Sequence, residues 1–172
     1  MSGKYRDESQ TYEIDLTKAF WSIGDLQDKF RSAGNFLNAV DWVVETPTAL
    51  MLIEFKNYSK SQGVIAEREK FYQNILRKYY FTAYYLLSCG KEKAMDYIFI
   101  AEAPNLDKVI GKRAKSAIKR RLPFTLHENN GEIIKGIIND FKILSVAEWN
   151  NEFPLFPLSK CAEFQQSNNP QV

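Results

Sequence analysis

The chain has 172 residues, of which 45% are hydrophobic and 26% are charged, and its formal net charge at neutral pH is +2. This size and composition fit one globular domain and exclude extended disorder, and the lack of an apolar run of about 18 residues excludes a transmembrane helix. One histidine and two distant cysteines exclude a histidine-rich metal site, a zinc–thiolate cluster and a disulfide scaffold. The polar first residues contain no signal peptide. We therefore expect a soluble, cytoplasmic protein with a single domain over residues 1–172 and flexible ends at residues 1–11 and 167–172.

The first elements in chain order are a helix and a β-hairpin. Apolar residues recur at helical spacing over residues 14–33, which predicts a helix that ends at Gly34. The β-forming residues 40–44 are separated by a turn at Pro47 from a short apolar run over residues 49–53. These two segments predict a hairpin whose second strand is buried on both faces.

Helices and strands alternate in the rest of the chain. With Gly90 and Pro123 as helix stops, the pattern predicts helix 65–88, strand 97–101, helix 106–121 and β-rich residues 133–144. Ser145 and Glu148 then fit a capping box that opens a short helix at Trp149. The order α-β-β-α-β-α-β predicts an α/β fold with a central mixed β-sheet flanked by helices on both faces.

The candidate site combines Asp41 with the tripeptide Glu54-Phe55-Lys56. The spacing of an acid and a lysine is uninformative alone, because residues 140–142 repeat it and chance gives about two such matches in this composition. The setting separates them: Glu54 and Lys56 end an apolar strand, where an unpaired charge costs several kcal/mol, whereas residues 140–142 suit a solvated strand edge. Alternation along a strand places Glu54 and Lys56 on one face and Phe55 on the other.

The register of the hairpin decides whether Asp41 meets Glu54. A turn of even length around Pro47 and Thr48 pairs residue 41 with residue 54, on the same face and with Cβ atoms about 4.5–5.5 Å apart. An odd-length turn would put the two carboxylates on opposite faces. Two carboxylates this close repel unless a cation lies between them, and hard oxygen ligands predict Mg²⁺ or Mn²⁺.

Such a site predicts hydrolysis of phosphate esters. A metal ion held by Asp41 and Glu54 polarises a phosphoryl oxygen and lowers the pKa of a bound water. Lys56 points the same way, where its ammonium would orient the water and stabilise the negative charge of the transition state. The alternative interpretation is a structural ion pair at a strand end.

An α-β-β-α-β core, an acid at the start of one hairpin strand and Ile53-Glu54-Phe55-Lys56 at the end of the next resemble the PD-(D/E)XK nuclease superfamily, over roughly residues 13–102. The resemblance implies a restriction-endonuclease-like fold and a metal-dependent phosphodiesterase. In it, Asp41, Glu54 and the Phe55 carbonyl would bind Mg²⁺ or Mn²⁺, and Lys56 would be the catalytic lysine. Val40 departs from the family pattern, which often has proline before the acid.

Members of the superfamily often carry two further polar residues near the site. One is an acid on the first helix, for which the candidates here are Glu13, Asp15, Asp25 and Asp28. The other is a glutamine on the helix after the lysine, where this chain has Gln73.

A basic stripe predicts the binding partner. Lysines recur at spacings of four, three and four residues along the predicted helix 106–121, at Lys108, Lys112, Lys115 and Lys119. Such a stripe suits a phosphate backbone, and its alternative is an ordinary solvated face.

We therefore expect an endonuclease that acts on a nucleic acid, with DNA favoured and RNA left open, with no membrane partner and with a homodimer left open. The rival hypothesis is a nuclease-like fold without catalysis that serves as a nucleic-acid-binding or protein-interaction module.

Overall fold

The computed structural model describes residues 3–32, 37–59, 68–110 and 113–162. The strands in these ranges are β1 Lys4–Arg6, β2 Tyr12–Asp15, β3 Trp21–Ile23, β4 Trp42–Glu45, β5 Leu50–Asn57, β6 Met95–Glu102, β7 Ile138–Leu144 and β8 Leu158–Lys160. The helices are α1 Leu26–Ser32, α2 Arg68–Ser88, α3 Leu106–Ile110, α4 Ala114–Lys119, α5 Phe124–Asn129 and α6 Val146–Glu152. Within the described ranges, none of these helices has the length and apolar character needed to cross a membrane.

A five-stranded mixed sheet forms the centre of the structure, in the order β3-β4-β5-β6-β7. β4 is antiparallel to β3 and β5, while β6 is parallel to β5 and β7. The predicted α/β class and mixed sheet are therefore confirmed, and the predicted order is present from α1 to β7. A second sheet, three-stranded and antiparallel in the order β1-β2-β8, was not predicted.

The predicted hairpin and its register are confirmed. Trp42 lies opposite Ile53 and Glu45 opposite Leu50 across the antiparallel pair β4–β5. A four-residue turn joins the strands, closed by a hydrogen bond from the Thr46 N–H to the Ala49 carbonyl (2.9 Å). β5 is buried on both faces over its first six residues, because helices cover one face and the second sheet covers the other.

Two hydrophobic clusters lie on opposite faces of the central sheet. On one face, Val43, Leu52 and Tyr97 pack against α1, α2 and α4. On the other, Trp42 and Ile53 pack against α6 and the three-stranded sheet. Both faces are thus covered, as predicted, although the second is covered mostly by strands.

The predicted helix over residues 14–33 is wrong, since among the described residues of that range only α1 is helical, while the end of β2 and all of β3 precede it. Along β2, buried Tyr12 and Ile14 alternate with half-buried Glu13 and Asp15, and this period of two is typical of a strand. β1 likewise corrects the expectation of a flexible end at residues 1–11. Gly34 and residues 167–172 lie outside the described residues.

The predicted basic helix 106–121 is also wrong as a single element, because α3 ends at Ile110 and α4 begins at Ala114. Arg113, the N-cap residue of α4, lies outside both helices. Gly111 and Lys112 themselves lie outside the described residues. The capping box is confirmed: Ser145 accepts from the Glu148 N–H and opens α6.

α2 ends where the sequence predicts, at a left-handed glycine. Gly90 has φ of +73°, its N–H donates to the Leu87 carbonyl (3.0 Å), and the Lys91 N–H donates to the Leu86 carbonyl (2.9 Å). These two bonds form a Schellman motif that satisfies the last carbonyls of the helix. The predicted first residues of this helix, 65–67, lie outside the described residues.

Substitution Gly90→Ala should lower the free energy of unfolding by about 1–2 kcal/mol, because a Cβ disfavours the left-handed conformation even though nothing lies near it. The matched control is Gly131→Ala, which also faces open space but has no positive φ. Urea unfolding should show a loss within about 0.5 kcal/mol for the control. Equal losses in the two variants would contradict the backbone explanation.

Candidate functional site

The start of β4 and the end of β5 bring the predicted site residues together. Asp41 directly precedes β4, and Glu54 and Lys56 lie near the end of β5. Phe55 points to the opposite face, where its ring lies 5.9 Å from that of Trp42 and 5.1 Å from that of Tyr12. The predicted alternation along β5 is therefore confirmed.

Asp41 is fixed through hydrogen bonds from three elements. Its Oδ2 accepts from the Phe55 N–H (2.8 Å), which joins it to the end of β5. The Val40 N–H donates to Thr82 Oγ1 of α2 (3.1 Å), and the preceding Ala39 N–H donates to Gln27 Oε1 of α1 (2.7 Å). These bonds hold the segment before β4 so that the Asp41 side chain faces Glu54.

Lys78 of α2 completes the cluster and was not predicted. Its Nζ donates to both carboxylate oxygens of Glu54, at 2.8 and 2.7 Å, and lies 3.8 Å from Asp41 Oδ1. Glu54 is only 2% exposed, so this ion pair supplies the positive charge that a buried carboxylate needs. The sequence carried a signal: Lys78 lies on the helix face of the buried residues Ile75 and Thr82.

Lys56 connects the cluster to the N-terminal turn. Its Nζ lies 3.2 Å from Glu54 Oε1 and 3.7 Å from Glu8 Oε2. Glu8 lies in the turn between β1 and β2, which the Asp7 carboxylate organises by accepting the N–H groups of Thr11 (2.8 Å) and Tyr12 (2.7 Å). Glu8 was missed because the first eleven residues were expected to be flexible.

Burial and the neighbouring charges shift the pKa values of Asp41 and Lys56. Burial, and then repulsion from Glu54, raises the pKa of Asp41 to about 7, although Lys78, Lys56 and the Phe55 N–H oppose the shift. Burial disfavours the charged form of Lys56, but attraction from Glu54, Asp41 and Glu8 outweighs it and raises the pKa of Lys56. Lys56 is therefore an ammonium group at neutral pH, which donates hydrogen bonds and does not accept a proton.

A cleft of about 430 Å³ opens beside these side chains. Glu54, Lys56 and Lys78 line it together with the aromatic residues Tyr58 and Phe71. An adjoining groove contains Asp41 and shares Glu8, Gln27 and Arg31 with the cleft. The volume of the cleft is in the range of roughly 300–1,000 Å³ that is common for small-ligand sites.

The donor set fits Mg²⁺ or Mn²⁺. Asp41 and Glu54 both lie within 4 Å of one positive charge, the Lys78 ammonium, so the two carboxylates face the same position. Among the described residues, no three acidic, histidine or cysteine side chains form a metal-binding group. Mg²⁺ needs only one or two carboxylates and takes its other ligands from water and substrate. The Phe55 carbonyl points to the same strand edge as its N–H, next to Asp41.

The four candidate acids of the predicted first helix do not enter the Asp41–Glu54 cluster. Glu13 and Asp15 belong to β2, where both lie 3.6 Å from Lys4. Asp25 and Asp28 line the adjoining groove and form ion pairs with nearby cations of α1. Gln73 lies on α2 as expected but is exposed, whereas its neighbour Asn74 lines the cleft.

Only half of the predicted lysine stripe can be described. Lys115 and Lys119 are exposed on α4, and Lys119 forms an ion pair with Asp140 (3.2 Å). Lys112 and the side chain of Lys108 lie outside the described residues. Asp140 and Lys142 lie on β7, an edge strand, where Lys142 forms an ion pair with Glu152.

Comparison with protein-family models, with curated proteins and with solved structures found no match for this chain. The interpretation of the site accordingly depends on the contacts described above.

In metal-free solution, Asp41→Asn should change how stability depends on pH. An acid with a raised folded-state pKa favours folding while it is protonated, so the parent should lose stability as pH rises from about 4 to about 7. The variant lacks this pH-dependent loss of stability. Its free energy of unfolding relative to the parent should therefore rise by up to about 4 kcal/mol across that range. Urea unfolding at a series of pH values, with a chelator present, measures the difference.

Glu45→Gln is the control with the opposite sign. Hydrogen bonds from Lys91 and Lys93 lower the pKa of Glu45, so its stabilising effect is present at neutral pH and is lost at acid pH. This variant should therefore be less stable than the parent at pH 7 and approach it below about pH 4. A flat difference for Asp41→Asn would contradict the electrostatic description of the site.

Proposed function

We propose that this protein is a divalent-metal-dependent nuclease that hydrolyses phosphodiester bonds, DNA rather than RNA, with a PD-(D/E)XK type of active site and a restriction-endonuclease-like fold. One observation supports it above the others: Asp41, Glu54 and Lys56 lie on one face at the end of the β4–β5 hairpin, beside a cleft. Residues that merely stabilise a strand end would not need two facing carboxylates, one lining the cleft and the other lining the adjoining groove.

The chain's own residues have distinct roles in this proposal. Asp41, Glu54 and the Phe55 carbonyl would hold Mg²⁺ or Mn²⁺, which polarises a phosphoryl oxygen and lowers the pKa of a bound water. The Lys56 ammonium would donate a hydrogen bond to the attacking water or to the phosphate, where its charge stabilises the transition state. Lys56 does not act as the base, because its pKa is raised and the group keeps its proton.

The reaction balances as a simple hydrolysis. The water oxygen forms a new bond to phosphorus while the bond from phosphorus to the leaving ester oxygen breaks. One proton leaves the attacking water for solvent, and the departing oxygen takes a proton to become a hydroxyl group. No oxidant, reductant or second substrate is required.

The alternative is a binding module without catalysis, and one observation favours it. Asp41 and Glu54 face two ammonium groups, Lys56 and Lys78, so the cluster balances its charges without a metal ion. A closed ion network of this kind can hold a fold together while the cleft binds a nucleic acid or a protein. Binding of Mn²⁺ that depends on Asp41 separates the two functions.

Phosphodiester cleavage with Mg²⁺ or Mn²⁺ tests the nuclease. Glu54→Gln and Lys56→Met should each lower the rate by at least about 100-fold, because they remove a metal ligand and a charge at the transition state. The second tripeptide provides matched controls: Asp140→Asn and Lys142→Met should cleave single- and double-stranded DNA at the parental rate. Loss in the controls, or full activity in the site variants, would contradict the assignment.

Nucleic-acid contact by α4 is tested separately from cleavage. In a Glu54→Gln background, Lys115→Gln should weaken DNA binding and reduce the slope of log affinity against log salt by about 1, the value for one lost phosphate contact. Lys135→Gln, which removes an exposed lysine lining a different pocket, is the control. Fluorescence anisotropy at several salt concentrations measures both, and equal slopes would remove α4 from the interface.

A further inference from the structure

Lys78 occupies the place where a cation would meet both carboxylates of the site. Its single nitrogen lies 2.7 Å from Glu54 Oε2, 2.8 Å from Glu54 Oε1 and 3.8 Å from Asp41 Oδ1. The side chain is 16% exposed and lines the cleft. Lys56, the other ammonium, is 3.2 Å from one oxygen of Glu54 and is shared with Glu8.

This geometry sets the Lys78 ion pair in competition with a Glu54-bound metal ion. Both Glu54 oxygens already accept from the Lys78 ammonium, and a divalent cation needs the same oxygens at about 2.0–2.6 Å. Because Glu54 Oε1 also lies 3.2 Å from the Lys56 ammonium, a metal ion would bring a third positive charge to one carboxylate, and the repulsion favours loss of the Lys78 hydrogen bonds. A buried Glu54 without any cation is equally unfavourable.

We propose that Lys78 is a built-in counter-ion of the metal-free site, which a divalent cation displaces from Glu54, so that Lys78 sets the metal affinity. The inference rests on the proposed function, because it concerns the same metal site. In the metal-free protein, Lys78 neutralises Glu54 and joins α2 to the end of β5. When the metal ion binds, the ammonium leaves Glu54 for the cleft that it already lines, on the side where a substrate phosphate would carry negative charge.

A purely structural ion pair makes a different prediction from an exchangeable one. A general electrostatic effect would be similar for Lys56 and Lys78, since both ammonium groups lie within 4 Å of Glu54. Displacement is specific to Lys78, because of the two lysines Lys78 binds both Glu54 oxygens and Lys56 lies near one of them. The Mn²⁺ affinities of variants at Lys56 and at Lys78 therefore distinguish the two kinds of ion pair.

The experiment titrates Mn²⁺ into the full chain. The affinity is measured by calorimetry and by the electron paramagnetic resonance signal of free Mn²⁺. Lys78→Met should bind Mn²⁺ at least tenfold more tightly than the parent, because no ammonium has to be displaced. Lys56→Met should gain less. Lys91→Met removes a lysine paired with Glu45 at the opposite end of β4 and should leave the affinity unchanged.

Thermal unfolding supplies the second measurement. With a chelator, Lys78→Met should melt below the parent, since Glu54 then lacks its counter-ion, and saturating Mn²⁺ should remove most of that deficit. If Lys78→Met does not fold without metal, Lys78→Arg serves instead. Its guanidinium also binds both oxygens of a carboxylate, so its Mn²⁺ affinity should be no tighter than that of the parent.

The outcomes separate this inference from the proposed function. Parental binding of Mn²⁺ that is lost in Asp41→Asn, with unchanged or weaker affinity in Lys78→Met, overturns the exchange and leaves the metal site intact. An equal gain in Lys56→Met also overturns it. No binding of Mn²⁺ to the parent or to Lys78→Met overturns both.

Discussion

The buried carboxylate of Glu54 is the constraint on which the site depends. A charge that is 2% exposed at the end of a hydrophobic strand is tolerated only with a cation beside it, and α2 provides Lys78 for this purpose. One turn further along the same helix, Thr82 Oγ1 accepts from the N–H of Val40, the residue before Asp41. Helix α2 thus packs against one side of the site. Its position relative to the hairpin decides whether Lys78 compensates the charge of Glu54.

The hairpin turn controls the geometry from the other end of β4. Its four residues set the pairing that carries Asp41 and Glu54 to the same face, at the end of the hairpin that lies opposite the turn. A change of one residue in the turn would move one carboxylate into the apolar layer around Trp42 and Phe55. The site is therefore specified by register and by strand alternation, and it does not depend on a long or unusual motif.

The sequence predicted those parts of the structure that follow from local pattern. The hairpin, the end of α2 at Gly90 and the capping box at Ser145 each depend on a few neighbouring residues, and the structure confirms them. Lys78 and Glu8 were missed because their roles come from tertiary contacts, which bring a helix and an N-terminal turn to one strand end. The segment before α1 was predicted as helix because Leu16, Phe20 and Ile23, at spacings of four and three, also fit one face of a helix.

The three-stranded sheet joins distant parts of the chain. Ile14 pairs with Leu158, and the Cys161 N–H donates to the Thr11 carbonyl, so the turn that carries Glu8 is supported from both directions. Contacts between residues so far apart in sequence form slowly, because a long loop must close first. During synthesis on the ribosome, the three-stranded sheet cannot be completed until residue 158 has emerged, whereas the β4–β5 hairpin and α2 can already pack. The turn that carries Glu8 therefore gains the support of β8 only late in synthesis.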